Sequence, residues 1–111
     1  MTHEEIYNVL KTTGLPVVYA HFRVKQTPDL PYIVFDYPTR SDEYADNQNY
    51  AHIVDMEVYL YTPEKDLELE HDVEAVLSQY WTYAKQSDYY DGEDVQETIY
   101  MVQAVLHEST N

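Results

Sequence analysis

Hydrophobic residues recur with helical spacing near the start of the chain. Ile6, Val9 and Leu10 fall on one face of a helix, and a Thr-x-x-Glu capping box precedes them. A glycine and a proline follow soon after the last apolar residue, as is typical of a helix end. The pattern predicts a first helix from about residue 3 to residue 13.

Two runs rich in β-branched and aromatic residues follow this helix. They extend from Val17 to Val24 and from Tyr32 to Tyr37, and a Pro-Asp-Leu-Pro break separates them. We expect two strands that pair antiparallel across this break. The next stretch, from Pro38 to Asn49, has no periodicity, and a connection of this length in a small domain is usually functional or disordered.

The clearest strand pattern lies in the middle of the chain. Val54, Met56, Val58 and Leu60 alternate with acidic and tyrosine residues, as in a strand that is buried on one face only. The outward positions are Asp55, Glu57, Tyr59 and Tyr61. The sheet is therefore expected to have one wet face, or one face reserved for a partner.

A second helix is predicted after this strand. Thr62 and Pro63 have the character of an N-cap and a first helical residue, and apolar residues then recur with helical spacing as far as Tyr80. The apolar positions are Leu69, Val73, Val76, Leu77 and Tyr80. Acidic residues at every second position between 64 and 74 would also fit a strand, but the length and the poor strand propensity of carboxylates favour a helix.

The last part of the chain is typical of a hairpin. Strands are predicted from Tyr83 to Tyr90 and from Val95 to Leu106, with a polar turn at residues 91–94. The whole order is helix, three strands, helix, two strands. It predicts a single α+β domain over residues 1–111, with two layers: a mainly antiparallel sheet and two helices on one face.

Charge narrows the classes of function. The 111 residues include 6 Lys and Arg against 21 Asp and Glu, for a formal net charge of -15. Such a chain repels phosphate backbones, so we expect no specific binding of nucleic acid. Thirteen tyrosines suggest recognition by amphipathic rings at interfaces. No run approaches the ~20 apolar residues that a membrane span requires, so no membrane association is expected.

Serine, histidine and carboxylate side chains are present, but they do not have the spacing of a known catalytic or metal-binding motif. The chain has no cysteine, and no serine lies in a nucleophile elbow. The five histidines match no metal-binding motif, although Glu70, His71 and Glu74 can share one helical face. The acidic turn at residues 91–94 does not match a calcium loop. We therefore expect a protein without enzymatic activity, metal or cofactor.

Several segments from Leu30 onward resemble the tail completion or tail terminator proteins of siphophages and prophages of Gram-positive bacteria. The segments are Leu30-Pro31-Tyr32-Ile33-Val34, Tyr44-Ala45-Asp46-Asn47 with Tyr50, Val58-Tyr59-Leu60-Tyr61-Thr62, and Lys65-Asp66 with Glu70. Together with the length and the helix-strand order, the likeness spans most of the chain. It departs from the family at Pro63-Glu64 and in the density of acid around them.

This resemblance implies a structural protein that forms a ring, typically a hexamer, on the finished tail tube. The ring would contact the tube protein and the head-tail connector, first in the host cytoplasm and then in the tail or neck of the virion. We predict that subunit and tube contacts use two groups: Tyr44, Asp46, Asn47 and Tyr50 in the loop, and Asp55, Glu57, Tyr59 and Tyr61 on the strand. Acid lining the channel is predicted at Asp42, Glu43, Glu68 and Asp72, where it would repel DNA in transit.

Two other functions are compatible with the same residues. One is a head-tail joining or stopper protein, which would also be a structural protein of the virion but would lie in the neck and not at the end of the tail tube. An acidic module that mimics DNA and inhibits a basic host protein would place the carboxylates in the role of phosphates.

Overall fold

A computed structural model describes residues 1–19, 28–39, 51–90, 92 and 94–107 of the chain. Its elements are the helices α1 (His3–Lys11) and α2 (Leu67–Ser78) and the strands β1 (Val17–Tyr19), β2 (Tyr32–Thr39), β3 (Ala51–Thr62), β4 (Tyr83–Tyr90) and β5 (Val95–His107). The strands form one sheet in the order β1-β2-β3-β5-β4. Both helices pack on the same face of it, around one core. The predicted α+β class and element order are confirmed.

Helix α1 is shorter than predicted. Its start is a capping box, in which the Thr2 hydroxyl accepts from the Glu5 amide and the Glu5 carboxylate accepts from the Thr2 amide. Its end comes at Lys11, because Thr12 and Thr13 turn back and bond to the carbonyls three residues earlier. Gly14 follows at a φ of 85°, in the left-handed region that ends many helices.

Strands β3 and β5 form the spine of the sheet. They pair antiparallel without interruption from Ala51 opposite His107 to Thr62 opposite Gln96. The alternation predicted for β3 is confirmed, since Val54, Met56, Val58 and Leu60 are buried beneath the helices. The predicted hairpin is also confirmed, because β4 pairs antiparallel with β5 along its whole length.

The predicted antiparallel pairing of the first two strands is wrong. Strand β1 is parallel to β2, with Val17 opposite Ile33 and Tyr19 opposite Phe35. A parallel pair needs a connection of about a dozen residues, and residues 20–31 provide it. The Pro-Asp-Leu-Pro break is thus part of a crossover. Residues 20–24 of the predicted strand lie outside the described residues.

The predicted start of the second helix is also wrong. Thr62 is the last residue of β3, and its hydroxyl donates to the Glu64 carbonyl at 2.7 Å. The N-cap is Asp66, whose carboxylate accepts from the Leu69 amide at 3.0 Å. The predicted apolar face of the helix is confirmed at Val73 and Leu77, which are buried. Tyr80 lies beyond the end of the helix and is exposed. The third buried residue of the helix is Glu70, which was not among the predicted apolar positions.

The predicted long loop begins later than expected. Strand β2 continues through Pro38 to Thr39, with a shift of register between Asp36 and Thr39, and β3 begins at Ala51. The rest of the loop, residues 40–50, lies outside the described residues. In the part of the chain that is described, no helix is long and apolar enough to cross a membrane.

Candidate interaction surface

The two faces of the sheet have different surroundings. One face is covered by α1 and α2, and we call the other the open face. The register of the strands places on it the residues that are opposite one another and point away from the helices. These are Val18, Tyr32, Val34, Asp36, Ile53, Asp55, Glu57, Tyr59, Tyr61, Ala84, Gln86, Asp88, Val95, Glu97, Ile99, Met101, Gln103 and Val105.

Three tyrosines meet at one end of the open face. The rings of Tyr59 and Tyr61, neighbours on one face of β3, lie nearly parallel with centroids 6.2 Å apart. The ring of Tyr32 on β2 lies 5.2 Å from that of Tyr61 on the adjacent strand. We call Tyr32, Tyr59 and Tyr61 the tyrosine cluster. Aromatic rings in such contacts stabilise a sheet as cross-strand pairs and also offer flat, rigid surface to a partner.

Carboxylates are hydrogen-bonded within the tyrosine cluster. The Tyr59 hydroxyl donates to the Glu57 carboxylate, and Tyr61 hydrogen-bonds to Glu97 on β5. Burial raises the pKa of Tyr59 and of Tyr61, and the neighbouring carboxylates raise it further. Both phenols therefore stay protonated and act as donors at neutral pH. Glu97 is only 8% exposed although it lies on the face opposite α1 and α2.

Aliphatic side chains occupy the opposite end of the open face. Ile53 on β3 and Val105 on β5 are directly opposite each other, and they are 66% and 48% exposed. Met101 lies between them and the tyrosine cluster and is also exposed. Ile53, Met101 and Val105 are named the aliphatic patch here. An exposed apolar group beside a polar rim is typical of protein-protein interfaces.

A shallow depression separates the aliphatic patch from the tyrosine cluster. Its volume is about 300 Å³, and Pro38, Asp55, Glu57, Met101 and Gln103 are among the residues that line it. It lies where the register of β2 shifts relative to β3. The depression is too open to enclose a small molecule, but a side chain of another protein fits its size.

The described residues of the open face carry charge of one sign. Five carboxylates lie on it, at Asp36, Asp55, Glu57, Asp88 and Glu97. The described residues include three lysines, and all three lie on the helix side of the sheet. Lys11 sits over the Tyr7 ring of α1, while Lys65 and Lys85 pair with acidic residues of α2. Among the described residues, no lysine or arginine lies on the open face.

The helix side holds the other notable group of polar side chains. Glu70, on α2, is 1% exposed, and its carboxylate is 2.8 Å from the Lys85 ammonium. Lys65 lies 3.2 Å from the same oxygen and 3.0 Å from the second one, where it forms an ion pair without a directed hydrogen bond. Lys85 also donates to Glu74 at 2.7 Å, and the Tyr100 hydroxyl donates to Glu74 at 2.9 Å. We call these five residues the lysine-glutamate network.

The pKa shifts of Glu74, Lys85 and Tyr100 are those of a structural ion-pair group. Burial works to raise the pKa of Glu74, but the hydrogen bonds from Lys85 and Tyr100 outweigh it, so the pKa is lowered. Hydrogen bonds to Glu70 and Glu74 raise the pKa of Lys85. Burial and the bond to Glu74 raise the pKa of Tyr100. Glu74, Lys85 and Tyr100 are thus held in their ordinary charge states, and the pairs of Lys85 with Glu70 and Glu74 join α2 to β4.

The structure places the predicted site residues in three locations. Asp55, Glu57, Tyr59 and Tyr61 all lie on the open face, as their alternation predicted. Glu68 and Asp72 are exposed on α2, on the other side of the sheet, next to a shallow depression shared with Asp66. The remaining predicted residues, Asp42, Glu43, Tyr44, Asp46, Asn47 and Tyr50, lie outside the described residues.

Sequence reasoning missed several members of the open face. Tyr32, Glu97, Met101 and Val105 join it because β2 and β5 flank β3. The available signal was the alternation in β5, where Val102, Ala104 and Leu106 are buried and the residues between them are not. The expected shared face of Glu70 and Glu74 exists, but lysines occupy it, and His71 is exposed. Among the described residues, no group of three or more acidic or histidine side chains is arranged to hold a metal ion.

Neither a protein-family model nor a curated protein matches this chain.

Proposed function

We propose that this protein is a non-enzymatic assembly protein that binds other proteins through the open face of its sheet. The observation that carries this proposal is the composition of that face. Tyrosines, exposed aliphatic side chains and carboxylates lie together on the face of the sheet opposite α1 and α2. A stable sheet face of this kind suits recognition, since little conformational entropy is lost when a partner binds to it.

The titratable groups on the helix side support a role without catalysis. General acid catalysis at neutral pH needs a carboxyl group whose pKa is raised, and the pKa of Glu74 is lowered instead. Glu70 is enclosed by two lysines and sits between α2 and β4. Both carboxylates therefore serve the packing of the helix on the sheet.

Within this class, we propose the role of a phage tail terminator. The support is the resemblance of the Leu30-to-Glu70 segments to that family, together with a fold that leaves one sheet face for contacts. Heterologous contacts between copies close into rings, and a ring of this chain would cap the tail tube and receive the neck. On this proposal, Glu68 and Asp72 line the channel with Asp42 and Glu43, and the open face contacts the tube or a neighbouring subunit.

The test is electron microscopy of particles from a lysogen in which the gene is deleted. If the protein is a tail terminator, we expect filled heads and detached tails of irregular or excessive length. Complementation with the wild-type gene should restore normal particles. Complementation with a Tyr59→Ala, Met101→Asp double variant should not, although the variant accumulates as a folded protein.

Two other outcomes would each select a different function. Detached tails of normal length would move the protein to the neck, as a joining or stopper protein. Normal infectious particles would overturn the structural role and favour the acidic regulatory module, for which capture of a basic DNA-binding protein is the next test.

A further inference from the structure

We infer that the open face recognises a partner protein through an arginine side chain, which stacks on Tyr59 and Tyr61 and pairs with Glu57. This inference rests on the proposed function, because it names the chemistry of the partner that the open face binds. The arginine belongs to an extended or helical segment whose apolar side chains cover the aliphatic patch.

The charge of the open face selects a basic partner. All five of its carboxylates lie on one side of the sheet, and the three described lysines lie on the other. Complementary potential raises the rate of encounter and excludes partners of the same sign. An acidic partner, or a second copy presenting the same face, would bring carboxylates against carboxylates.

The rings select arginine among the basic residues. Tyr59 and Tyr61 lie nearly parallel, with an interplanar angle of 11°, and so present two flat rings along one line of the strand. A guanidinium group is planar and weakly hydrated, and it stacks on aromatic faces, whereas an ammonium group is compact and strongly hydrated. Tyrosine and arginine are also the residues most enriched at the energetic centres of interfaces.

A carboxylate beside the rings can receive the guanidinium group. A carboxylate has about four acceptor positions, and the Tyr59 hydroxyl uses one of those on Glu57. Glu57 is partly exposed, whereas Glu97 is only 8% exposed and already bonds to Tyr61. An arginine stacked on Tyr59 and Tyr61 therefore has the Glu57 oxygens within reach of its fork, where paired hydrogen bonds are strong and directional.

The experiment uses the full chain and three capped heptapeptides of one design. In each peptide, valines and threonines alternate with three copies of arginine, of lysine or of citrulline, which has the shape of arginine without its charge. Titration calorimetry gives the affinities, and NMR of tyrosine rings labelled with carbon-13 gives the site. We expect the arginine peptide to bind about fivefold more tightly than the lysine peptide. We expect the citrulline peptide to bind far more weakly than either.

Variants of the tyrosine cluster test the site itself. Tyr59→Leu removes the ring face and should weaken the arginine peptide about tenfold, whereas Tyr59→Phe keeps the ring and should change affinity less than about twofold. Glu57→Gln should weaken the arginine peptide and reduce its preference over the lysine peptide. The matched controls are Tyr80→Leu and Glu4→Gln, which change an exposed tyrosine and an exposed carboxylate on the helix side. They should leave affinity unchanged.

Three results would overturn the inference. One is equal affinity for the arginine and lysine peptides, which would indicate general attraction to an acidic chain. Another is a shift of signals from α2 in place of the tyrosine rings, which would put the peptide at Asp66, Glu68 and Asp72. The third is absence of binding by the arginine peptide at millimolar concentration.

The peptide experiment is independent of the role in phage assembly. If deletion of the gene leaves particles normal while arginine selectivity holds, then the proposed function fails and the site stands. If deletion disrupts the tails while the peptides show no selectivity, then the function stands and the partner chemistry is wrong.

Discussion

The lysine-glutamate network and the tyrosine cluster lie on opposite faces of the same sheet. The carboxylates of the two groups have different hydrogen-bond partners. In the network, lysines neutralise Glu70 and Glu74. In the cluster, tyrosine hydroxyls bond to Glu57 and Glu97, which lie on the face opposite the three described lysines. A carboxylate paired with lysine under a helix stabilises packing, whereas Glu57, which is partly exposed on the open face, can also meet a partner. The comparison thus assigns stability to one face and recognition to the other.

The largest expected effect is on the free energy of unfolding, and it compares two aliphatic residues of β3 that lie on the two faces of the sheet. Leu60 is completely buried beneath the helices, and Ile53 is exposed on the open face. Leu60→Ala should lower the free energy of unfolding by about 3 kcal/mol, because it loses buried surface and leaves a cavity. Ile53→Ala should lower it by about 0.5 kcal/mol or less. Urea denaturation measures both, and similar losses at the two positions would contradict the division.

The second effect compares carboxylates on the two faces. Glu70→Gln should lower the free energy of unfolding by about 2 kcal/mol, because Lys65 and Lys85 lose the charge between them. Glu57→Gln should change it by less than about 0.5 kcal/mol, since its partner is a neutral hydroxyl near the surface. Glu68→Gln, at an exposed position of α2, is the control. If Glu57→Gln is as costly as Glu70→Gln, the tyrosine cluster is a structural group.

The third effect is the change with pH in the stability that Glu74 contributes to the folded chain. Because its folded pKa is lowered, its contribution is present above the pKa of 4.5 in the unfolded chain and is lost as pH falls through the folded value. The stability difference between wild type and Glu74→Gln should therefore shrink between pH 6 and pH 3, from about 1 kcal/mol. Asp72→Asn, a change at an exposed carboxylate, should show a smaller trend. A difference that grows on acidification would reverse the assigned direction.

The smallest effect concerns like charges on α2. Glu68 and Asp72 are exposed and one helical turn apart, so they repel each other. Asp72→Lys should raise stability by about 0.5 kcal/mol at low salt, and most of this gain should vanish in about 1 M NaCl. Thermal denaturation at the two salt concentrations measures the change. A gain that survives high salt would point to packing as its cause.

Local patterns predicted most of the fold correctly. The capping box at Thr2 and the alternation from Val54 to Leu60 each describe a single element, and both are observed. The direction of β1 relative to β2 was not predictable in this way, because a strand shows the same alternation in either direction. The end of β3 at Thr62 was missed because threonine suits both a strand and an N-cap.

The candidate surface was predictable only in part. Alternation was enough to place Asp55, Glu57, Tyr59 and Tyr61 on the outward face of one strand. The partners of these residues come from other strands, as when Glu97 meets Tyr61. Strand order and register bring such residues together, and neither is encoded in a local pattern.

By itself, the sequence determined the helices and strands, the α+β class, the buried side of β3 and the strong negative charge. These follow from periodicity and composition, which act over neighbouring residues. Only the tertiary structure decided that β1 runs parallel to β2, that lysines neutralise Glu70, and that three tyrosines gather on a face without basic residues in the described part of the chain. Each of these depends on which distant segments pack together, because burial and electrostatic pairing act through space and not along the chain.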